Sequence, residues 1–350
     1  MKKYNKKYYN LVLIIFSVFI FLYGCRKSNP EQSAVHLSNG LKYQYEGKLD
    51  EAMSEFTFAI DLDSKNATAY FHRGLIYFGK NNFSEALREF NDAIDIQPDS
   101  ARFYDARGLI YISQYNYSEA MNDYETAVRL EPRNWVYINR RGYVYALLND
   151  IVQAIKDYTK AIELNPDYED AYSNRGFAYL KLNKFENVIR DFSKAIESTP
   201  RAVYYNSRGY AYANLNQLAE AMADYDKAIS LDSSIADAYV NRGYLYLNTG
   251  LYEFALQDFD KAIKLGLVNA ANYNARGYAF ANLRKWTEAI NDYSKAIELD
   301  PNLTDSYVNR GFAYFNILDK QNALKDWQTA VSQRPALDTA LKTYIEKVSR

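Results

Sequence analysis

An arginine-glycine pair recurs along this 350-residue chain at an almost constant interval. Successive pairs lie 34 residues apart, except for one interval of 33. The pairs are Arg73-Gly74, Arg107-Gly108, Arg141-Gly142, Arg175-Gly176, Arg208-Gly209, Arg242-Gly243, Arg276-Gly277 and Arg310-Gly311. Gly40, preceded by Asn39, lies one interval earlier and extends the series to nine copies. A fixed period of this length is typical of repeat proteins, in which each copy is one supersecondary unit.

Each copy has the pattern of two amphipathic helices. With the glycine placed at position 8, the copies begin at Ser33, Ala67, Ala101, Trp135, Glu169, Ala202, Ala236, Ala270 and Thr304. Positions 4, 8 and 11 share one helical stripe, and positions 20, 24 and 27 share another. Position 24 is always aromatic, and position 27 is always alanine. We therefore expect small residues to let the two backbones approach while aromatic rings fill the remaining space.

The ends of the copies carry further signals. Proline occupies position 32 in six copies, where it would end the second helix, because proline cannot continue the hydrogen-bond ladder. The copy that begins at Glu169 is one residue short. The missing residue falls between Pro200 and Tyr205, so we expect a shortened loop and two intact helices.

Charged residues recur with the same period. Position 7 is arginine in eight copies, and position 23 is acidic in all nine. Only the first copy, which no acid precedes, has Asn39 in place of the arginine. We therefore predict that each acid pairs with the arginine of the following copy, from Glu55 with Arg73 to Asp292 with Arg310.

The first 24 residues differ from the rest of the chain. Four lysines, Lys2, Lys3, Lys6 and Lys7, precede an apolar run, and no acidic residue occurs before Glu31. This is the pattern of a secretory signal. The run is shorter than the roughly 20 residues that span a bilayer, although an uncleaved anchor beginning near Tyr8 is an alternative.

The apolar run ends in Leu22-Tyr23-Gly24-Cys25, and Cys25 is the only cysteine of the chain. The order of these residues resembles the lipobox of bacterial lipoproteins. The resemblance implies a signal peptide over residues 1–24, lipidation of Cys25 (by palmitate or another acyl chain) and a tether over 25–32. It also implies a membrane-anchored protein of the bacterial cell envelope. The alternative is that Cys25 is not lipidated and is simply a small apolar side chain beside the apolar run.

The repeated pattern resembles the tetratricopeptide repeat. The matching features are an aromatic at position 4, glycine at 8, tyrosine at 11, alanine at 20 and 27, an aromatic at 24 and proline at 32. The resemblance covers residues 33–335 and implies an all-α fold, a right-handed superhelical solenoid of nine helix-turn-helix copies. Residues 336–350, with Leu337, Leu341 and Ile345 on one stripe, are predicted to form a C-terminal capping helix.

In the tetratricopeptide fold, the first-helix face opposite positions 4, 8 and 11 lines a concave groove, with position 9 at its centre. That position is aromatic in the last six copies: Tyr143, Phe177, Tyr210, Tyr244, Tyr278 and Phe312. Asparagines flank it at position 6 (Asn174, Asn241 and Asn309) and position 13 (Asn214, Asn248 and Asn282). Aromatic rings and amides suit a peptide backbone, so we predict a partner-binding groove. The alternative reading is core packing for the rings and helix capping for the amides.

The sequence shows no pattern typical of nucleic-acid binding, metal binding or catalysis. Without residues 1–24 the chain has more acidic than basic side chains, which disfavours nucleic acid as a partner. His36 and His72 are the only histidines, and neither has a nucleophile or metal ligand at a diagnostic spacing. We therefore expect no metal, no cofactor, no small-molecule substrate and no catalysis.

The sequence thus predicts a scaffold that binds protein or peptide partners at the cell envelope. Two alternatives remain open at this stage. One is an assembly factor for outer-membrane proteins or pili, and the other is binding of cell-wall glycan, because tyrosine rings also stack on sugars. The carboxylate clamp of some tetratricopeptide domains is not expected, since it needs lysine at position 5 and asparagine at position 9.

Overall fold

The computed structural model describes residues 28–349. The predicted signal peptide and Cys25 lie outside these residues. The described chain is divided into two compact units, an N-terminal unit up to Pro166 and a C-terminal unit from Asp167. Within residues 28–349 all regular structure is helical, which confirms the predicted all-α fold.

The N-terminal unit contains four consecutive helix pairs, one for each of the first four copies. Its helices are α1 (Pro30–Tyr45), α2 (Leu49–Leu62), α3 (Ala67–Gly79), α4 (Phe83–Ile96), α5 (Ala101–Ser113), α6 (Tyr117–Leu130), α7 (Trp135–Leu147) and α8 (Ile151–Leu164). The side chain of Asn29 caps α1 by accepting a hydrogen bond from the backbone N–H of Gln32. The last three residues of the predicted tether are therefore helical.

The C-terminal unit contains the other five pairs and one additional helix. The pairs are α9 (Glu169–Lys181) and α10 (Phe185–Ser198), α11 (Ala202–Asn214) and α12 (Leu218–Leu231), α13 (Ala236–Asn248) and α14 (Tyr252–Lys264), α15 (Ala270–Asn282) and α16 (Trp286–Leu299), and α17 (Thr304–Asn316) and α18 (Lys320–Gln333). A short 3₁₀ turn, Pro335–Leu337, leads into α19 (Asp338–Ser349). Leu341 and Val348 of α19 pack on Trp327, which fits the predicted capping helix.

The glycine at position 8 makes room for the aromatic ring at position 24 of the same copy. A Cβ placed on Gly74 would lie 2.6 Å from Cε1 of Phe90, and one on Gly209 would lie 2.9 Å from Cε1 of Tyr225. Both rings are buried, as is every alanine at positions 20 and 27. The prediction that small residues and rings interlock is confirmed.

The loops follow the pattern of the copies as well. Most loops between successive pairs have four residues, whereas the loop from α10 to α11 has only three, residues 199–201. This confirms that the missing residue shortens a loop.

Within the described residues, no helix has the length and apolar character that a membrane crossing requires.

The predicted pairing of arginine with the acid of the preceding copy is wrong. Each arginine at position 7 instead forms a bidentate ion pair with the acid at position 23 of its own copy. Arg73 donates from Nε and Nη2 to Glu89 at 2.9 and 3.0 Å, and Arg208 donates to Asp224 at 2.8 Å from both nitrogens. In the first copy, Glu55 contacts His36 and Asn39 instead.

In most copies the arginine also contacts the preceding copy, but at position 25 rather than position 23. Nη1 of Arg73 donates to Thr57 at 3.2 Å, and Nη1 of Arg310 donates to Ser294 at 2.9 Å. In most copies the guanidinium group lies near the rings at positions 4 and 11 of its own copy, as Arg310 does near Tyr307 and Tyr314 at 5.7 and 5.9 Å. This stacking accounts for many of the 35 tyrosines in the chain.

Candidate functional site

Position 9 presents a row of half-exposed aromatic rings in the C-terminal unit. Phe177, Tyr210, Tyr244 and Tyr278 each expose between 38% and 43% of their surface. Two of these rings, Phe177 and Tyr244, contact the buried ring at position 24 of their own copy. Phe177 meets Phe192 edge to face at 4.9 Å between centroids, and Tyr244 meets Phe259 at 5.2 Å. These contacts fix the orientation of the rings before any ligand arrives.

The other two predicted aromatics occupy different surroundings. Tyr143 belongs to the N-terminal unit and is exposed to the same degree as the four rings above. Phe312 lies under the capping helix, with its ring 5.0 Å from that of Tyr344 and 5.2 Å from that of Trp327. The sequence predicted this capping helix, but the assignment of Phe312 to the groove did not take its cover into account.

The predicted asparagines fall into two structural groups. At position 13, Asn214 and Asn282 donate from Nδ2 to the backbone carbonyl four residues earlier, at 2.8 and 2.9 Å, and Asn248 is exposed. At position 6, Asn241 donates to Asn206 of the preceding copy at 2.9 Å, and Asn309 donates to Asn274 at 3.3 Å. Asn174, also at position 6, is half-buried.

Two neighbouring copies form a recess on this face, with a volume of about 270 Å³. Five of the predicted site residues line it: Tyr210, Asn214, Asn241, Tyr244 and Asn248. Ala213, Leu218, Tyr225 and Leu245 complete the lining, and none of the nine residues is charged. The C-terminal unit therefore brings five of the predicted residues together at one neutral, aromatic recess.

Tyr225 and Leu218 were not predicted as site residues, because positions 24 and 17 belong to the packing pattern. Burial raises the pKa of Tyr225 well above its usual value, so this hydroxyl stays protonated over the physiological range. Position 24 is phenylalanine in the copies on either side, at Phe192 and Phe259. The change from phenylalanine to tyrosine at this position was the only feature of the sequence that could have indicated Tyr225 as a site residue.

The N-terminal unit has a different chemistry at the corresponding positions. Asp105 and Arg140 form an ion pair where the C-terminal unit has asparagine pairs. Arg102 stacks on Phe71 and Phe103, with its guanidinium carbon 5.0 and 5.1 Å from the two ring centroids. Burial and the charge of Arg102 lower the pKa of His72 to about 4, so this imidazole is neutral near pH 7.

The site contains binding chemistry rather than reactive chemistry. The described residues include no group of three or more side chains that could hold a metal ion. Rings, amides and one buried hydroxyl supply apolar contact and hydrogen bonds, but the recess lining includes no carboxylate, imidazole or thiol. Such a surface binds ligands through shape and neutral hydrogen bonds.

Three solved structures show similarity of fold. A tetratricopeptide repeat protein from Parabacteroides merdae ATCC 43184 is 22% identical, with a TM-score of 0.52 over 71% of this chain and 99% of that chain. The APC/C hetero-tetramer Cut9-Hcn1 is 14% identical, with a TM-score of 0.54 over 97% of this chain and 82% of that chain. YrrB, described as a TPR protein with an unusual peptide-binding site, is 24% identical, with a TM-score of 0.46 over 52% of this chain and 95% of that chain.

The match to family models is direct. A model described as TPR repeat matches residues 40–81, 74–114, 142–183, 209–250 and 277–317. Models described as tetratricopeptide repeat match residues 101–134, 169–201 and 236–265. None of the curated proteins matches the chain. With the family models matching most of the sequence from residue 40 to 317, and with consecutive helix pairs in both units, the chain belongs to the tetratricopeptide repeat family.

Proposed function

We propose that this protein is a non-catalytic scaffold that binds an extended segment of a partner protein along the aromatic row of its C-terminal unit. The observation that carries the proposal is the recess between Tyr210 and Tyr244. Its two rings are half-exposed and flanked by asparagine amides, and the ring of Tyr244 meets the buried ring of Phe259 edge to face. This combination supports recognition of a peptide, because tyrosine offers rigid contact area and amides bond to backbone N–H and C=O groups.

A partner segment in an extended conformation fits a site that is repeated from copy to copy. Successive copies present an equivalent ring at Phe177, Tyr210, Tyr244 and Tyr278, so a ligand that advances by a constant step meets the same contact at each copy.

We further propose that the chain is anchored to the bacterial cell envelope through lipidated Cys25. The support is the sequence alone: a basic start, an apolar run and a single cysteine in the order of a lipobox. More than one acyl chain gives stable anchoring, whereas one chain alone binds membranes reversibly. A Cys25→Ser variant should lose incorporation of radiolabelled palmitate, and unchanged incorporation would contradict the lipid anchor.

The binding proposal is tested with a double variant, Tyr210→Ala with Tyr244→Ala. Proteins captured by the wild-type chain from detergent-solubilised envelope should be lost with this variant. The matched control is Tyr45→Ala with Tyr115→Ala, which removes two tyrosines that are 94% and 79% exposed in the N-terminal unit. Equal capture by both variants would contradict the proposal.

The same variants separate the two alternative roles. If the lost partners are outer-membrane proteins or pilus subunits, the scaffold acts in their assembly. If the wild type sediments with purified cell wall and the Tyr210 and Tyr244 variant does not, the row binds glycan instead.

A further inference from the structure

The recess of the C-terminal unit has a buried hydroxyl at its floor. Tyr225 is only 1% exposed, yet it lines the recess together with Tyr210 and Tyr244. In the described residues, every side-chain nitrogen or oxygen that is sealed from solvent has a hydrogen-bond partner. The Tyr225 hydroxyl forms no hydrogen bond within the described residues, so its oxygen is not sealed from solvent, and the recess that Tyr225 lines is where it is accessible.

The comparable tyrosine at position 24 of the third copy behaves differently. The hydroxyl of Tyr124 donates to the backbone carbonyl of Asp105 at 3.4 Å. The hydroxyl of Tyr225 is therefore not required by the fold, since Phe192 and Phe259 occupy the same position in the neighbouring copies. A donor that opens onto the recess and has no partner in the protein is available to a ligand that supplies an acceptor.

Two asparagine side chains that line the recess offer hydrogen-bond acceptors, whereas the Tyr225 hydroxyl offers a donor. Asn214 uses its N–H group on the backbone carbonyl of Tyr210, and Asn241 uses one on Asn206. Their side-chain carbonyl oxygens therefore remain as acceptors at the recess. No lining residue carries a charge, so no opposite charge in the recess would offset the desolvation of a charged ligand group.

We propose that this recess recognises the primary amide side chain of a glutamine or asparagine in the bound segment; the proposal rests on the peptide-binding function proposed above. The ligand amide oxygen accepts from the Tyr225 hydroxyl, and the ligand NH₂ group donates to the carbonyl oxygens of Asn214 and Asn241. The planar amide lies between the rings of Tyr210 and Tyr244. A volume of about 270 Å³ accommodates this group and its methylene stem.

The proposal predicts that the recess binds glutamine more tightly than glutamate or leucine, although the three side chains have similar sizes. Glutamate has the size of glutamine, but it carries a charge and cannot donate to the two asparagines. Leucine has a similar volume, but it leaves the Tyr225 hydroxyl unpaired. Sites built to bond a polar group reject analogues that lack it, because their own buried groups then lose their partner.

The test uses an array of nonapeptides with blocked ends, in which each position is varied in turn, probed with the full chain. We expect glutamine and asparagine to be enriched at one position. Changing that residue to glutamate or leucine in the best peptide should weaken binding about tenfold or more by calorimetry. Tyr225→Phe should bind the glutamine peptide about tenfold more weakly while binding the leucine peptide as well as wild type does.

Tyr158→Phe is the matched control, because Tyr158 is equally buried but lies in the N-terminal unit. It should leave both affinities unchanged, and thermal melts should show both variants folded. Binding that depends on Tyr210 and Tyr244 without preference for amide residues, or without an effect of Tyr225→Phe, would overturn this inference and leave the proposed function standing. An array with no bound peptide would overturn both.

Discussion

Arg175 and Asp191 form a bidentate ion pair across the two helices of one copy. Nε of Arg175 donates to Oδ2 at 2.7 Å and Nη2 donates to Oδ1 at 2.8 Å, and the Asp191 side chain has no exposed surface. The cation also lies between Tyr172 and Tyr179, at 5.8 and 5.9 Å. The pair therefore belongs to the packed interior of the copy, and it joins both helices through charge, hydrogen bonds and stacking.

Removal of the acid should cost considerable stability. Asp191→Ala leaves the guanidinium of Arg175 without its carboxylate in a largely buried place, so we expect a loss of about 3 to 5 kcal/mol in the free energy of unfolding. Glu197→Ala is the control, because its partner Lys194 and Glu197 itself are both exposed. That variant should lose little stability, because solvent screens an exposed pair. Equal losses in urea unfolding would contradict the buried role.

Double-mutant cycles check which acid each arginine uses. Arg208 should couple strongly to Asp224 of its own copy, with about 1 kcal/mol or more, and negligibly to Asp191 of the preceding copy. Alanine substitutions, singly and in pairs, supply the required stabilities from urea unfolding. Coupling to Asp191 instead would restore the pairing between copies.

The wrong prediction of the ion pairs shows that periodicity alone does not determine whether two residues pair within one copy or between copies. Positions 7 and 23 recur in every copy, so pairing within a copy and between copies fit the sequence equally well. The absence of an arginine at Asn39 favoured the wrong choice, whereas His36 and Asn39 in fact hold Glu55 in that copy. Helical spacing on one helix defines which residues share a face, but it does not define the register of that face against a neighbour.

The packing of the copies, by contrast, could be predicted in detail. Glycine, alanine and aromatic residues alternate with the helical period, and their volumes are complementary only in one arrangement. The recess was predicted in part, since Tyr210 and Tyr244 were expected to face a ligand. Tyr225 could not be predicted, because a residue in the packing pattern reaches the recess only through the three-dimensional contact between copies.

A glycine at position 8 should not tolerate a methyl group. In Gly74→Ala the new Cβ would lie 2.6 Å from the ring of Phe90, which is completely buried. We expect a loss of about 1 to 3 kcal/mol in stability, despite the better helix propensity of alanine. Gly79→Ala is the internal control, since no atom lies within 4 Å of its Cβ. It should be neutral or raise stability by up to about 1 kcal/mol, and thermal unfolding of both variants decides the matter.

The turn of the last helix pair carries removable backbone strain. Leu318 has a φ of 66° and is 83% exposed, while Asn183 occupies the same position of the fifth copy with a φ of 53°. Asparagine tolerates the left-handed region better than leucine does. Leu318→Asn should therefore raise the free energy of unfolding by roughly 1 kcal/mol, and the reverse exchange, Asn183→Leu, should lower it by a similar amount. Changes of the same sign would rule out the backbone explanation.

His72 should make the stability of the N-terminal unit depend on pH. Its pKa falls from the usual 6.5 to about 4 in the folded chain, so the unfolded chain binds more protons between these values. Stability should therefore fall as the pH drops from 6.5 to 4, by roughly 1 to 2 kcal/mol once partial solvent access is considered. In His72→Asn the amide keeps a hydrogen bond to Gln44, which His72 contacts at 2.8 Å. Urea unfolding at pH 7 and pH 4.5 should show a smaller loss for this variant, and identical losses would contradict a neutral imidazole.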